Sequence, residues 1–229
     1  MANNKQSEAV AGDTNGKAPE GLGKRTVNYL IYKREAGIAL VVILVGLILT
    51  VVADNFFTVA NLQIVARLIS LNAIIAIGMT MVILLGDIDL SVGSVVALAS
   101  VITGYVMVVL GMPIAVGILA GVLTGALIGL VNGGLIIKTG VPSFIVTLGM
   151  MGVARGIALV ITKGSSISGL PSEYLTVGQG FMLGVPIPVV IMIVVAIAAH
   201  IFLSRMGTGR HIYFTGSNAE AALLSGISV

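Results

Sequence analysis

The segment PIAVGILAGVLTGALIGLVNGGLII, Pro113–Ile137, decides how the chain must be read. It runs twenty-five residues without a charged side chain. As a helix rising 1.5 Å per residue it reaches about 37 Å, more than the ~30 Å hydrocarbon layer of a bilayer. A membrane β-strand needs only about ten residues, with polar and apolar side chains in alternation, and that alternation is missing here. Within the segment Gly117, Gly121, Gly125, Gly129 and Gly133 recur at every fourth position, with Thr124 and Asn132 beside them. Four residues turn a helix by about 400°, so these glycines form one slowly winding stripe. Lipid supplies no hydrophobic force between helices, and a glycine stripe lets two backbones come close enough for packing to hold them. The expectation is a central, tightly packed membrane helix that can pivot against its neighbour.

Five further segments are long and apolar enough to cross: Ala36–Ala53, Leu68–Leu85, Val92–Leu110, Phe144–Ile161 and Val185–Leu203. The fold class expected is therefore all-α, a polytopic membrane helix bundle of about six transmembrane helices over residues 36–203. Composition agrees. Of 229 residues, 57% are hydrophobic and only 9% charged, against about 25% charged in soluble domains. Mean hydropathy is +1.13. These figures disfavour a soluble globule, a disordered chain and a nucleic-acid binder. The absence of cysteine removes disulfides, thiolate metal sites and cysteine nucleophiles.

Residues 1–35 differ from the rest. They hold six of the twelve basic residues and four of the nine acidic ones, with no apolar stretch of signal-peptide length. We read them as a disordered tail on the cytoplasmic side. With the N-terminus inside, the inner side collects nine Lys and Arg, namely the six in the tail with Lys138, Arg205 and Arg210. The outer side collects two, Arg67 and Lys163, as the positive-inside rule requires. Asn55–Ala66 is too polar to cross and is expected along the outer interface. Residues 162–184 form the longest outer loop.

Between the second and third spans stands Gly86-Asp87-Ile88-Asp89-Leu90-Ser91-Val92-Gly93-Ser94. One reading is a helix start, in which Asp89 or Ser91 caps the amides of the third span. The other is a break that enters the membrane, where irregular backbone survives only if it is buried in protein or lines a cavity. There the carboxylates could accept hydrogen bonds from hydroxyl-rich solutes, and both roles can coexist. An intramembrane aspartyl protease would need Gly-x-Gly-Asp, which Leu84-Leu85-Gly86-Asp87 does not provide. Arg155 lies within the fifth span, six residues or ~9 Å from its outer end. It either snorkels to the interface or faces the interior toward a carboxylate or a solute. The two histidines, His200 and His211, are isolated, and no metal site is expected. Past the last span, residues 204–229 form a cytoplasmic tail in which Asn218 caps a short helix from Ala219 to Ser225 and Gly226 ends it. Too short to span, that helix is either a plain interfacial one or a knob offered to a partner.

These residues resemble those of a known family, the permease subunits of ATP-binding-cassette importers for simple sugars, of the ribose and xylose type. The matching stretches are Leu71-Asn72-Ala73-Ile74 with Ala76-Ile77-Gly78-Met79-Thr80, Asp87 to Ser94, Val131-Asn132-Gly133, Val141 to Gly149, and Gly209-Arg210 through Ser225-Gly226-Ile227. The resemblance implies a pore-forming subunit, not itself an enzyme and without a cofactor of its own, in a bacterial inner (plasma) membrane. It implies a second permease chain as homodimer partner around a central path. It further implies ATPase subunits bound through the short helix, with Asn218, Glu220, Ala221, Ala222 and Gly226 as coupling residues, and a periplasmic sugar-binding protein that delivers a monosaccharide. Membrane lipid surrounds the whole, and nucleic acid has no part. Candidates for the translocation path are Asn72, Asp87, Asp89, Ser91 and Arg155. Helix packing falls to Gly117, Gly121, Gly125, Gly129 and Gly133.

Two departures stand out. The family usually carries Gly where Asp87 stands, and its members continue through further spans, so this chain is expected to be the N-terminal part of a larger permease fold. Two other readings compete. An ion-coupled secondary carrier fits a broken helix, but lacks the usual carboxylates within its spans. A non-transporting assembly protein could use the glycine stripe for packing alone.

Overall fold

A computed structural model describes residues 34–53 and 55–228. The expectation for the N-terminal tail falls on residues outside these, apart from its last two positions. The elements in chain order are α1 (Arg34–Val52), α2 (Val59–Leu84), α3 (Val92–Gly104) with a π-helical turn (Tyr105–Val109), α4 (Ile114–Thr139), α5 (Ser143–Thr162), α6 (Ser172–Gln179), β1 (Phe181–Met182), β2 (Val185–Pro186), α7 (Ile187–Arg205), α8 (Gly207–Ser217) and α9 (Ala219–Leu224). The chain forms two compact units, one up to Asn61 and one from Leu62 onward.

In the first unit α1 carries an apolar stretch, Ala36–Val52. It is shorter than the other five candidate spans, and its 19 residues rise about 28 Å. A turn over residues 55–58 follows. Thr58 Oγ1 accepts from the Asn61 amide at 3.3 Å, and Asn61 Nδ2 donates to the Phe56 carbonyl at 2.7 Å. Thr58 is thus an N-cap, and it sets the start of α2 at Val59. The interfacial segment expected over Asn55–Ala66 is therefore corrected, since residues 59–66 are the first two turns of a continuous 26-residue helix. At ~39 Å that helix outreaches the hydrocarbon layer, which is why its first turns tolerate Asn61, Gln63 and Arg67.

In the second unit α3, α4 and α5 pack around Leu98, Ala154 and Ala158, with Val95, Val101, Ile102, Ile128 and Ile161 against them. Ala154 and Ala158 sit one turn apart on α5, a small-residue pair that brings its backbone close to α3. Among the described residues five helices are long and apolar enough to cross a membrane: α2, α3 with its π turn, α4, α5 and α7. The chain is a multi-pass membrane protein, and its described residues are all-α apart from one two-stranded hairpin.

The glycine stripe divides. Gly117 and Gly121 are buried, and a Cβ added to Gly117 would meet Met107 Cγ at 2.5 Å. One added to Gly121 would strike Thr103 Oγ1. At Gly125, Gly129 and Gly133, however, a Cβ would meet nothing within 4 Å. Among the described residues only the first two of the five meet a neighbouring helix, and the cause is geometric. Each step of four drifts ~40°, so by Gly133 the stripe has turned ~160° away from α3. The face that stays in contact runs through Gly117, Gly121, Ile128 and Asn132, which keeps to the helical period.

Two helices are not foreseen by the sequence. In the former outer loop, α6 follows Pro171 and leads into the hairpin, whose pairing is Phe181 with Pro186 and Met182 with Val185. In the tail, α8 forms despite three glycines in eleven residues. Its Gly209 lies on the backbone of Phe202 and Leu203, and its Gly216 on the Leu84 carbonyl. Any side chain at either position would collide.

Candidate functional site

The break between α2 and α3 is built into the protein rather than left at its edge. Gly86, at φ +86°, turns the chain out of α2. Two amides of the irregular stretch are then taken up by hydroxyls of α5. The Ile88 N–H donates to Ser143 Oγ at 3.2 Å, and the Leu90 N–H donates to Thr147 Oγ1 at 3.1 Å. Thr147 also donates toward the Ser143 carbonyl at 2.9 Å and the Ile88 carbonyl at 3.2 Å. A non-helical segment in a membrane protein needs such internal partners, because lipid offers none. Ser143 and Thr147 are themselves buried.

Asp89 is the hub. Its Oδ1 accepts from the Ser91 amide at 2.7 Å and from Ser91 Oγ at 2.6 Å. Ser91 Oγ in turn accepts from Asn132 Nδ2 at 3.1 Å. The two candidates for the cap therefore divide: Asp89 Oδ1 takes the Ser91 amide at the start of α3, whereas Ser91 Oγ caps no amide. Ser91 occupies the N-cap position of α3 without a capping hydrogen bond of its own, its Oγ accepting from Asn132 rather than from a helix amide. Asn132 lies seven residues inside the end of α4, so the break reaches about 10 Å up that helix. With the Asn132 amide spent on Ser91, its Oδ1 is buried without a partner, an acceptor open to a water or a hydroxyl donor.

Above this network, between α3 and α5, runs a groove of about 770 Å³, within the ~300–1,000 Å³ usual for small-molecule sites. It begins at Leu90, Gly93 and Ser94 and ends at the 164–167 loop, passing Ser100, Arg155 and Thr162. From Gly93 to Gly104 α3 rises ~16 Å, about half the hydrocarbon thickness. The groove is mostly apolar with hydroxyls at intervals. Among the described residues on its walls, Arg155 is the one formal charge.

Of the candidate path residues, the structure thus joins Asp89 to Ser91 beneath one end of the groove and sets Arg155 on its wall. Asn72 is not brought in, since it is exposed on α2 and its Nδ2 donates to the Leu68 carbonyl of its own helix at 3.1 Å. Asp87, half-buried, does not line the groove either. Sequence reading misses Ser143, Thr147 and the Asn132 bond. Val141 to Gly149 and Val131 to Gly133 stand out as stretches, but their hydroxyls and amide carry no signal until the helices are assembled.

At the far end of the chain, Asn218 caps α9 as expected, its Oδ1 accepting from the Ala221 amide at 3.0 Å. The helix closes in a Schellman motif: Gly226 N–H donates to the Leu223 carbonyl at 2.9 Å, and Ile227 N–H to the Ala222 carbonyl at 3.0 Å. Gly226 has the positive φ, +78°, that this motif needs. Ala222 is 3% exposed and packs inward, so it is not a docking contact. Glu220, Ala221, Leu223 and Leu224 are exposed, and Leu224 is 86% so.

Comparison with known proteins fits this geometry. Residues 61–229 match the family described as branched-chain amino acid transport system / permease component. The ribose import permease protein RbsC of Haemophilus influenzae is 39% identical over 207 residues, covering 89% of this chain and 63% of that protein. RbsC of Escherichia coli K12 is 40% identical over 203 residues, covering 87% and 62%. The D-allose transport system permease protein AlsC of the same organism is 32% identical over 207 residues, covering 90% and 64%. The chain therefore spans less than two thirds of these relatives' length. No solved structure matches it. Alignment over most of the chain, including both the break and the capped terminal helix, establishes that the chain belongs to this family of membrane permease components.

Proposed function

We propose that the chain is the membrane-spanning subunit of an ATP-driven importer and forms part of the path of a monosaccharide through the α3–α5 groove by alternating access. The observation that carries this is the groove itself, a small-molecule-sized channel between packed helices with hydroxyls and one guanidinium along an apolar wall. Neutral sugars are held in this manner, by dispersed hydrogen bonds. The relatives named for ribose and allose support the same cargo class. On this reading the ATPase is a separate subunit that docks on α9 through Glu220, Leu223 and Leu224. A periplasmic binding protein delivers the sugar on the opposite face, and a second copy of the permease completes the path. The nine-to-two distribution of Lys and Arg supports a cytoplasmic N-terminus in a bacterial inner membrane.

The family description raises a second cargo, a branched-chain amino acid. Its carboxylate would suit Arg155, but its apolar side chain would leave the serines unused. Uptake of labelled ribose, allose and leucine by membranes containing the chain, its ATPase and its binding protein separates the two. Sugar uptake that needs ATP, and that falls about ten- to a hundredfold in Arg155→Gln, is expected when one charged hydrogen bond to the cargo is lost. Leucine uptake alone would move the assignment to the amino acid. Uptake driven by an ion gradient without ATPase would replace the importer with a secondary carrier.

A further inference from the structure

We propose that the tip of the β1–β2 hairpin is a lipid anchor, with Phe181, Met182 and Leu183 seated at the boundary between headgroups and acyl chains. The tip is apolar and outward-facing. Leu183 is 99% exposed, and Phe181 and Met182 about half. No charge occurs from Gly180 to Ile187. The turn itself argues that the leucine is there for what it touches. Leu183 has φ +54° and Gly184 φ +81°, both central residues of a two-residue hairpin turn with positive φ. Such turns favour Asn or Asp before Gly, because a branched apolar residue is strained there. A leucine facing water at that position would carry the strain and gain nothing. In lipid its burial offsets the strain.

The tip is also held still and at the required depth. Arg67 donates to the Gln179 carbonyl at 2.9 Å and stacks over the Phe181 ring at 5.6 Å, while Gln63 donates to the Gly184 carbonyl at 3.4 Å. Helix α2 serves as a ruler. From Leu84, where α2 ends at the break, Arg67 lies about 25 Å along the axis and Gln63 about 31 Å, so both stand near or beyond the far edge of a ~30 Å hydrocarbon layer. An independent measure agrees. Helix α7 enters its span at Ile187, so Leu183 can stand no more than four residues, about 13 Å, from the start of a membrane helix. Helix α7 itself exposes apolar side chains, Ile193 and Val194 among them. A rigid apolar tip at that depth lies in the interfacial zone where amphipathic elements bury ~5–10 Å.

The chain contains no tryptophan, so Leu183→Trp in the full chain, reconstituted in phosphatidylcholine vesicles, provides a single reporter. Ile193→Trp, on the exposed face of α7, confirms insertion, and the vesicle preparation used is one in which bromolipids quench it. The expected result is blue-shifted emission from residue 183, most of which is lost when the vesicle lipids carry bromine near the headgroup end of their acyl chains. Water-like emission quenched by aqueous iodide would overturn the proposal. So would blue-shifted emission indifferent to the bromolipids, because a protein surface would then cover the tip. Leu183→Asn, which accepts the turn without strain, is expected to weaken lipid-dependent protection of the 180–186 amides from hydrogen exchange while α7 keeps its own.

Discussion

Thr147→Val tests whether the break before α3 is held by hydroxyls of α5. Valine keeps the β-branched shape and suits a helix about as well as threonine does, so α5 itself should be untouched. What is lost is the acceptor for the Leu90 amide at 3.1 Å and a shared donor to the Ile88 carbonyl at 3.2 Å. Polar bonds between membrane helices average about 0.6 kcal/mol, with about 1.7 at the top of the range, and leaving an amide unpaired inside protein costs about 1–3 kcal/mol. About 1–2 kcal/mol is the range both scales allow, equivalent to roughly a 5–30-fold larger open fraction of the segment. Hydrogen exchange read by mass spectrometry on peptides covering residues 86–92 should show the Leu90 amide exchanging faster by that factor. Peptides from the middle of α5 should not change. Thr147→Ser should recover the protection, since it restores the hydroxyl. Ser143→Ala should instead release the Ile88 amide, whose bond is 3.2 Å. If Leu90 exchanges at the same rate in Thr147→Val as in the wild type, the hydroxyls of α5 do not hold the break and some other contact fixes its backbone.

Gly121→Ala and Gly125→Ala should separate within one stripe. The first drives a methyl into Thr103 Oγ1 and to 3.2 Å from the Ala99 carbonyl, and should cost about 1–3 kcal/mol of thermal stability in detergent. The second meets nothing and should be neutral or gain a few tenths, as a helix glycine replaced by alanine does. In α9, Asn218→Ala removes the cap and Gly226→Ala puts a Cβ at φ +78°, each at about 1 kcal/mol, and α9 amides should lose protection while Asn218→Ser keeps most of it. Leu223→Asp with Leu224→Asp should abolish ATPase co-purification without lowering the melting temperature, since both side chains are exposed.

The spans are legible because apolar length is a one-dimensional property, and the third to sixth spans match α3, α4, α5 and α7 to within about two residues. The start of the second is not, because Asn61, Gln63 and Arg67 read as interface. A helix longer than the bilayer is thick carries such residues on its protruding turns without ending. The short helix after Asn218 is legible because caps and Schellman glycines are local chemistry. Helix α8 is not, because its glycines lower helix propensity and are there for contacts with residues 202, 203 and 84, which no local window contains. The site shows the same division. Asp89 and Ser91 are two residues apart, and the sequence pattern marks them. Their bond to Asn132, forty-one residues away, and the Ser143 and Thr147 bonds to residues 88 and 90 arise only when α4 and α5 are in place.

The contacts also define how far a displacement at α9 can travel. Helix α9 packs against α8, and α8 rests on the last carbonyl of α2 through Gly216, where no side chain stands between the two backbones. Two residues beyond that carbonyl, Gly86 turns the chain into the break at a φ that few other residues adopt comfortably. From there on the backbone is tied down at Ile88, Leu90 and Ser91. Gly86 itself closes α2: its amide donates to the Ile83 carbonyl at 2.9 Å and the Asp87 amide to the Val82 carbonyl at 3.2 Å, so the turn is fixed to its own helix before the ties to α5 begin. A push on α9 that reaches α2 is either taken up by rotation at Gly86, leaving the groove unchanged, or carried across it into the Asp89–Ser91–Asn132 knot on which the N-terminal end of α3 stands. Stiffening that position separates the two cases on physical grounds, since a residue other than glycine at φ +86° restricts the rotation without touching any neighbour within 4 Å.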